Sequence, residues 1–247
     1  MISVSRTAAQ SMMTNVVLAY RRILPPSLSR ARLCFSCSAA LRPGGVTPIQ
    51  ISPLTYNDTV FWHQQVQPDI RKLPGRLDEH WHWPSLLLGL SAIELLRRRE
   101  LIGYAALVQN RVGLAVPAGL VLLSIGFPAL DEPIEDAVFL WYLTAAPTST
   151  LTRLGVAAKP SLLEVLVDIG IVESDARGYQ GRLGLHAANR GSSPASIALY
   201  NAYHQRCGLQ PVPSTIKLPG VRRNDGRYFV ATPGIASARM QALDYLR

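Results

Sequence analysis

The chain has 247 residues, enough for one ordinary domain with an extension or for two small domains. Hydrophobic residues make up 48% of it and charged residues only 17%, a balance that supports a sizeable buried core and excludes wholesale disorder. The net charge is +9, but six arginines and no acid lie within the first 57 residues. The basic character therefore belongs largely to the N-terminal segment, and binding of nucleic acid by the domain itself is not favoured.

Residues 1–44 are rich in arginine and serine, which is the composition of a mitochondrial transit peptide or of a disordered tail. We predict a basic N-terminal extension at residues 1–44 and one domain at residues 45–247. Three cysteines are too few, and odd in number, for a disulfide framework, so a reducing compartment is favoured. Cytoplasmic localisation is the first expectation, and mitochondrial localisation is the alternative if the extension is a transit peptide.

Metal chemistry is not favoured by the histidines and cysteines. Cys34 and Cys37 form a C-x-x-C pair, but two further zinc ligands at suitable spacing are missing from the sequence. His80 and His82 lie in a tryptophan- and histidine-rich connection, DEHWHWP, without a carboxylate–histidine cluster after them. The sequence predicts no metal site.

The first half of the domain indicates strands around one helix. Alternating apolar residues predict a strand at residues 46–54, and a capped apolar stripe predicts a helix at residues 57–66. Two further strand-like runs, at residues 91–96 and 101–108, are predicted to form a hairpin across a charged turn.

The next segment, residues 112–130, carries no charge and is long enough to span a bilayer. Prolines and glycines interrupt it, among them Pro117, Gly119 and Pro128. A buried strand at residues 119–127 is therefore the better interpretation, and a membrane association is not favoured.

The second half alternates strands and helices. A run rich in β-branched and aromatic residues predicts a central strand at residues 137–143, followed by a loop at residues 145–158. The remaining elements are a helix at 160–170, a strand at 179–187, a helix at 195–206 and a strand at 227–231. A hairpin followed by a strand–helix–strand unit predicts an α+β fold with a sheet of mixed direction.

Several of these segments resemble the GNAT N-acetyltransferases. Residues 100–107 (ELIGYAAL) resemble the third strand of that family, and residues 137–147 (AVFLWYLTAAP) resemble the fourth, which leads to the CoA site. Residues 178–186 and 203–209 resemble the fifth strand and the end of the helix after it. The resemblance covers about residues 46–230. It implies a mostly antiparallel central sheet flanked by helices, and direct transfer of an acetyl group from acetyl-CoA to an amine.

A pyrophosphate needs several converging backbone N–H groups, which a loop that opens a helix can provide. Residues 152–158 (TRLGVAA) precede the helix at residues 160–170 and are mostly small or basic. In the family pattern Gly155 and Ala157 match, whereas Thr152 stands at the basic position. The resemblance also implies that the pantetheine arm binds the main chain of the fourth strand. The implied cofactor-binding residues are Tyr142, Leu143, Ala145, Thr152, Arg153, Leu154, Gly155, Val156, Ala157 and Ala158.

Acyl transfer to an amine requires a neutral nucleophile and a proton for the leaving thiolate. The resemblance assigns the proton donor to a tyrosine on the last helix, which is Tyr203 in this sequence. Tyr200, one helical turn earlier, is the second candidate.

The predicted base is Glu135. The family often has an acid on the fourth strand near the position that Thr144 holds here. Because this acid is absent, the base is expected in the acidic turn before that strand. Glu132 and Asp136 share this turn with Glu135, and Glu94 is a further candidate.

The leading hypothesis is an acetyl-CoA-dependent N-acyltransferase that acts on an unidentified small-molecule or peptide amine. The alternative is a catalytically degenerate domain of the same fold that binds CoA or serves as an interaction module. The missing acid at Thr144 and the altered phosphate loop favour this alternative. A nucleic-acid or anionic-membrane binder would depend on the arginine-rich extension and is the least favoured interpretation.

Overall fold

The structure is a computed structural model that describes residues 35–40, 46–89, 100–157, 160–189, 191, 193–219 and 223–243. In this part of the chain an eight-stranded sheet has the order β1-β2-β3-β4-β5-β6-β8-β7. The strands are β1 (Phe35–Ala40), β2 (Val46–Pro53), β3 (Leu101–Gln109), β4 (Ala115–Pro128), β5 (Asp136–Ala145), β6 (Leu183–His186), β7 (Gln210–Pro211) and β8 (Tyr228–Ala231). Only the β5–β6 pair is parallel. The predicted α+β fold with a mixed, mostly antiparallel sheet is confirmed.

Three of the described helices begin after a residue whose side chain caps a free N–H group. Thr55 forms a capping box with Asp58, and the hydroxyls of Ser193 and Thr232 accept from backbone N–H groups of the helices that follow them. The helices are α1 (Tyr56–Phe61), continued by a π-helical turn (Trp62–Val66) and α2 (Gln67–Arg71), then α3 (Thr148–Arg153), α4 (Leu162–Ala176), α5 (Pro194–Asn201), continued by a π-helical turn (Ala202–Arg206), and α6 (Pro233–Ala242). Residues 83–89 are also helical.

The uncharged stretch at residues 112–130 forms the central strand β4. Its side chains from Val116 to Ile125 are buried, which explains the absence of charge. Among the described residues, none of the helices has the length and apolar character needed to cross a bilayer.

Helix α4 packs directly on one face of β4 and β5, and this side of the whole sheet is called here the α4 face. A Cβ added to Gly119 would lie 2.9 Å from Leu166 of α4, so the backbones approach closely because this residue is glycine. On the same face, the hydroxyl of Tyr104 donates to Glu173 of α4 at 2.6 Å. The other side of the sheet is called the opposite face.

Several sequence-based boundaries need correction. β1 lies inside the predicted extension, so residues 35–40 belong to the sheet, and residues 1–34 and 41–45 lie outside the described residues. β3 pairs with β2 and β4, whereas its predicted hairpin partner at 91–96, with Glu94, also lies outside the described residues.

The remaining differences lie in the second half. The predicted loop at 145–158 contains α3, and the strand predicted at 179–187 is limited to the four residues of β6. The predicted helices at 57–66, 160–170 and 195–206 are confirmed with shifted ends. β7 and α6 were not predicted from the sequence.

Candidate functional site

The two parallel strands separate halfway along β5. Their pairing covers Val138–Leu183, Phe139–Gly184 and Leu140–Leu185, but β5 continues to Ala145. From Trp141 onward, the edge of β5 that faces β6 therefore has no strand partner in the described part of the chain. This unpaired edge belongs to the strand on whose main chain the resemblance placed the pantetheine arm.

A β-bulge at Trp141 sets which side chains of β5 face each side of the sheet. Tyr142 pairs with Leu122 of β4 and Leu140 with the next residue, Leu123, so Trp141 is an extra residue. The ring of Tyr142 contacts Trp81 on the opposite face, with the centroids 5.0 Å apart. Leu143 pairs with Val121, whose partner on β3 is the Tyr104 that reaches α4, so Leu143 lies on the α4 face.

A cavity of about 740 Å³ occupies the gap between the separated strands. Residues 139–145 of β5 line it. From the α4 face it is lined by α4 and α5, including Leu163, Ala198, Leu199 and Tyr203. From the opposite face it is lined by Asp78, Trp81, His186 and Tyr228, among others. The cavity thus passes through the sheet and has one half on each face.

A buried acid lies beside Thr144, and it belongs to the connection after α2. Asp78 is buried, and its carboxylate accepts a hydrogen bond from the hydroxyl of Thr144. Arg76 donates to the two oxygens of Asp78 at 2.8 and 2.5 Å, and also to the carbonyl of Ala145 at 3.0 Å. The sequence did not predict this cluster, because its only local signal is an arginine and an aspartate two residues apart.

Tyr203, to which the family resemblance assigned the role of proton donor, lines the cavity from the π-helical turn that continues α5. It is 4% exposed and packs against Phe229, with the ring centroids 5.8 Å apart. Burial, reinforced by the nearby Cys207 and Asp78, raises the pKa of Tyr203 well above its ordinary value. Its hydroxyl therefore carries a proton at neutral pH. The second candidate, Tyr200, packs against Phe229 and is not among the residues that line the cavity.

A histidine–aspartate pair lies at the opposite-face half of the cavity. Nε2 of His186 is 3.1 Å from Oδ2 of Asp225, and the backbone N–H of Arg227 donates to Oδ1 at 3.0 Å. Burial opposes ionisation of Asp225, but the hydrogen bonds from His186 and Arg227 outweigh it and keep its pKa below the ordinary value. This pair was not predicted from the sequence, because 39 residues separate its members.

The predicted phosphate loop has the geometry of a helix end. The N–H groups of Leu154, Gly155 and Val156 each donate to a carbonyl of α3 at 2.8–3.0 Å, and Gly155 has a φ of 80°. Arg153 donates to Asp69 at 3.0 Å and to the carbonyl of Gln65. These groups are already bonded within the protein and do not line the cavity. Ala158 lies outside the described residues.

Some of the other predicted site residues line the cavity, and some lie away from it. Tyr142, Leu143 and Ala145 line the cavity. Glu135 is exposed in the turn before β5 and does not line it. At about 3.3 Å per residue, Glu135 lies roughly 30 Å along the strand from Thr144. Among the described residues, no three His, Cys, Asp or Glu side chains are grouped to hold a metal ion.

Neither a family model nor a curated protein matches the chain. Solved structures do. The first, apo FdhC, a nucleotide-linked sugar GNAT, is 10% identical to this chain with a TM-score of 0.50, over 87% of this chain and 99% of FdhC. The second, an acetyltransferase from Thermus thermophilus, is 17% identical with a TM-score of 0.41, over 74% of this chain and 96% of its own.

A third structure, a mutant AtaT toxin bound to the C-terminus of the antitoxin AtaR and to acetyl-CoA, is 14% identical with a TM-score of 0.41, over 78% of this chain and 97% of its own. Identities this low bear on the fold alone. The likeness to FdhC extends over nearly the whole of that protein. The chain therefore has the GNAT fold.

Proposed function

We propose that the protein is an acetyl-CoA-dependent N-acyltransferase that moves an acetyl group directly to an amine. One observation carries this proposal: the cavity passes through the sheet where β5 and β6 separate, and Tyr203 lines it from α5. Two ligands that enter from opposite faces can meet in such a cavity at the unpaired edge of β5.

The donor half is proposed to lie on the α4 face. The pantetheine arm would run along the main chain of Tyr142, Leu143 and Ala145, where β5 has no strand partner toward β6. The carbonyl of Ala145 already accepts from Arg76, so the other main-chain groups of this edge are the better partners. An extended amide chain bound there would satisfy backbone groups that the sheet leaves open.

The pyrophosphate is proposed to bind at the N-terminus of α4 rather than at residues 154–156. A helix of fifteen residues presents free N–H groups and a positive dipole end. Its N-cap residue, Ser161, makes no capping hydrogen bond, and its hydroxyl donates to Glu164 at 2.7 Å. Arg206 lies beside this end, where it donates to the Ser161 hydroxyl at 2.8 Å and pairs with Glu164 at 2.6 Å.

Tyr203 is proposed to protonate the leaving thiolate. Its side chain lines the cavity and its hydroxyl is protonated at neutral pH, so it holds a proton that can pass to the thiolate when the carbon–sulfur bond breaks. Glu135 has no part in this proposal, because it lies at the far end of β5 from Thr144.

One observation favours the second candidate function, a domain of this fold that binds CoA without turnover or acts only in interactions. The N–H groups of residues 154–156 and the guanidinium of Arg153 are all bonded within the protein. Binding of the cofactor and turnover must therefore be measured separately.

The test is calorimetric titration of the full chain with acetyl-CoA, using two tryptophan substitutions on α5. Ala198 is an exposed cavity-lining residue, so Ala198→Trp narrows the donor half without disturbing the core. Its neighbour Ile197 is 52% exposed and does not line the cavity, so Ile197→Trp is the matched control. We expect micromolar binding that Ala198→Trp weakens at least about tenfold and Ile197→Trp preserves. A folded protein that does not bind acetyl-CoA would overturn the proposal.

A further inference from the structure

The His186–Asp225 pair is built so that one imidazole nitrogen is left as an acceptor. Because the carboxylate of Asp225 is ionised, it can only accept, and Nε2 of His186 must carry the hydrogen between them. In the neutral ring the lone pair is then on Nδ1. Within the described residues, Nδ1 has no hydrogen-bond partner.

The ring is also held in place. It packs against Tyr228 of β8, with the centroids 4.6 Å apart and the ring planes tilted by 46°, and the two residues are cross-strand neighbours. The side chain of His186 is 32% exposed, so a proton that it accepts can pass to solvent. A ring with a fixed tautomer, a free nitrogen and a place on the cavity wall has the arrangement of a general base.

We propose that His186 is the general base for the acceptor amine and that Asp225 is the positioning residue that fixes its tautomer. This inference rests on the proposed function. Nδ1 takes one proton from the acceptor ammonium, and the neutral amine forms a bond to the thioester carbonyl carbon. The carbon–sulfur bond then breaks, and the thiolate takes the hydroxyl proton of Tyr203. The Tyr203 phenolate recovers a proton from the acylated nitrogen, and His186 releases its proton to solvent.

The other ionisable groups around His186 do not compete for this role. Tyr228 keeps its proton at neutral pH, because burial and the nearby Asp225 raise its pKa. Asp78 lines the same half of the cavity, but its oxygens accept hydrogen bonds from Arg76 and Thr144. Among the described residues that line the cavity, His186 is the base with a nitrogen lone pair, on Nδ1, that accepts no hydrogen bond.

An alkylating analogue tests the placement of His186 without a known acceptor. Bromoacetyl-CoA carries its reactive carbon where the acetyl group would lie. Nδ1 would form a bond to that carbon as the carbon–bromine bond breaks and bromide leaves. We expect mass spectrometry of digested protein to find the added group on His186, and to lose it in His186→Gln. His204→Gln is the matched control, because His204 bonds to the carbonyl of Leu209 and does not line the cavity.

The role of Asp225 is tested by nitrogen NMR of the His186 ring. We expect the Nε2–H tautomer to dominate in the wild type and a mixed population in Asp225→Ala, with acetyl-CoA affinity unchanged. Alkylation of a different residue by a protein that binds acetyl-CoA overturns the assignment of His186 and leaves the proposed function standing. Failure of the folded protein to bind acetyl-CoA overturns the proposed function, and this inference with it.

Discussion

The hydroxyl of Thr144, near the end of β5, donates a hydrogen bond to the carboxylate of Asp78, which lies 66 residues earlier in the chain. Arg76 pairs with the same carboxylate and also bonds the carbonyl of Ala145. The connection after α2 is thereby attached to the part of β5 that β6 leaves unpaired. This attachment fixes one wall of the cavity.

Removal of the Thr144 hydroxyl tests this attachment. Thr144→Val leaves the buried carboxylate of Asp78 with one hydrogen bond fewer, which costs about 1.5–3 kcal/mol for a charged acceptor. We expect the free energy of unfolding in urea to fall by that amount. Thr152→Val is the control, because the exposed hydroxyl of Thr152 bonds only a carbonyl of its own helix. Equal effects of the two substitutions would contradict the importance of the Asp78 contact.

Tyr203→Phe removes the proposed proton donor and keeps the ring in its packing. A general acid contributes about 10²–10⁴-fold to turnover, so we expect kcat to fall by at least about 10²-fold while acetyl-CoA affinity is kept. Release of CoA with 2-phenylethylamine is a suitable measurement, because Trp81 and Tyr142 give the acceptor half an aromatic wall. Tyr200→Phe should leave the rate unchanged, and a loss equal to that of Tyr203→Phe would exclude the specific role of Tyr203.

A buried ion pair joins α4 to β3. Arg177 donates to Glu173 and to Glu100, at 2.7 Å in both cases, and the side chain of Glu173 is fully buried. Hydrogen bonds to Glu100 and Glu173 hold the pKa of Arg177 above its ordinary value. Arg177→Ala leaves the buried carboxylate of Glu173 without its guanidinium partner, so we expect the free energy of unfolding to fall by about 3–5 kcal/mol.

The matched control for this pair is Lys72→Ala. The side chain of Lys72 is 75% exposed in its pair with Asp69, and such surface pairs contribute about 1 kcal/mol or less. Chemical denaturation of both variants gives the comparison. A small effect of Arg177→Ala would show that Glu173 is protonated or solvated in the folded protein.

The pH dependence of stability has an identifiable source in Asp69. Hydrogen bonds from Lys72 and Arg153 lower the pKa of Asp69 from 3.8 to about 2. A carboxyl group with a depressed folded-state pKa stabilises the protein above its ordinary pKa, and this contribution is lost as the pH falls towards the folded-state value. We expect Asp69→Asn to reduce the loss of stability between about pH 5 and pH 2. High salt should weaken the difference, because Lys72 and Arg153 are largely exposed. If the variant loses as much stability at low pH as the wild type does, Arg153 does not form an ion pair with Asp69 in solution.

The central strands could be predicted because their signals are local. β4 and β5 are long apolar runs bounded by proline, glycine or acidic turns, and their assignments required no knowledge of their partners. Tyr203 was singled out by the resemblance to the GNAT family and not by a local signal of this kind. Helix α3 was missed because its sequence, TSTLTR, is rich in threonine, which has a low helix propensity.

The site itself depends on contacts that a local window of sequence does not contain. Asp78 meets Thr144 and His186 meets Asp225 only after the sheet has formed. For residues 154–156 the sequence pattern is local, but it fits two different structures. Their small residues suit a phosphate loop or a helix end, and the choice depends on whether the preceding segment is helical. Sequence alone left that choice open.

The separation of β5 from β6 after Leu140 also has a kinetic consequence for the proposed reaction. Because the cavity is lined from both faces of the sheet, a donor and an acceptor need not pass each other to bind or to leave. Either substrate can then load first, and both must be present before the acetyl group moves. Double-reciprocal plots of initial rates at several fixed concentrations of one substrate should therefore give intersecting lines. Parallel lines would indicate a covalent acetyl-enzyme intermediate.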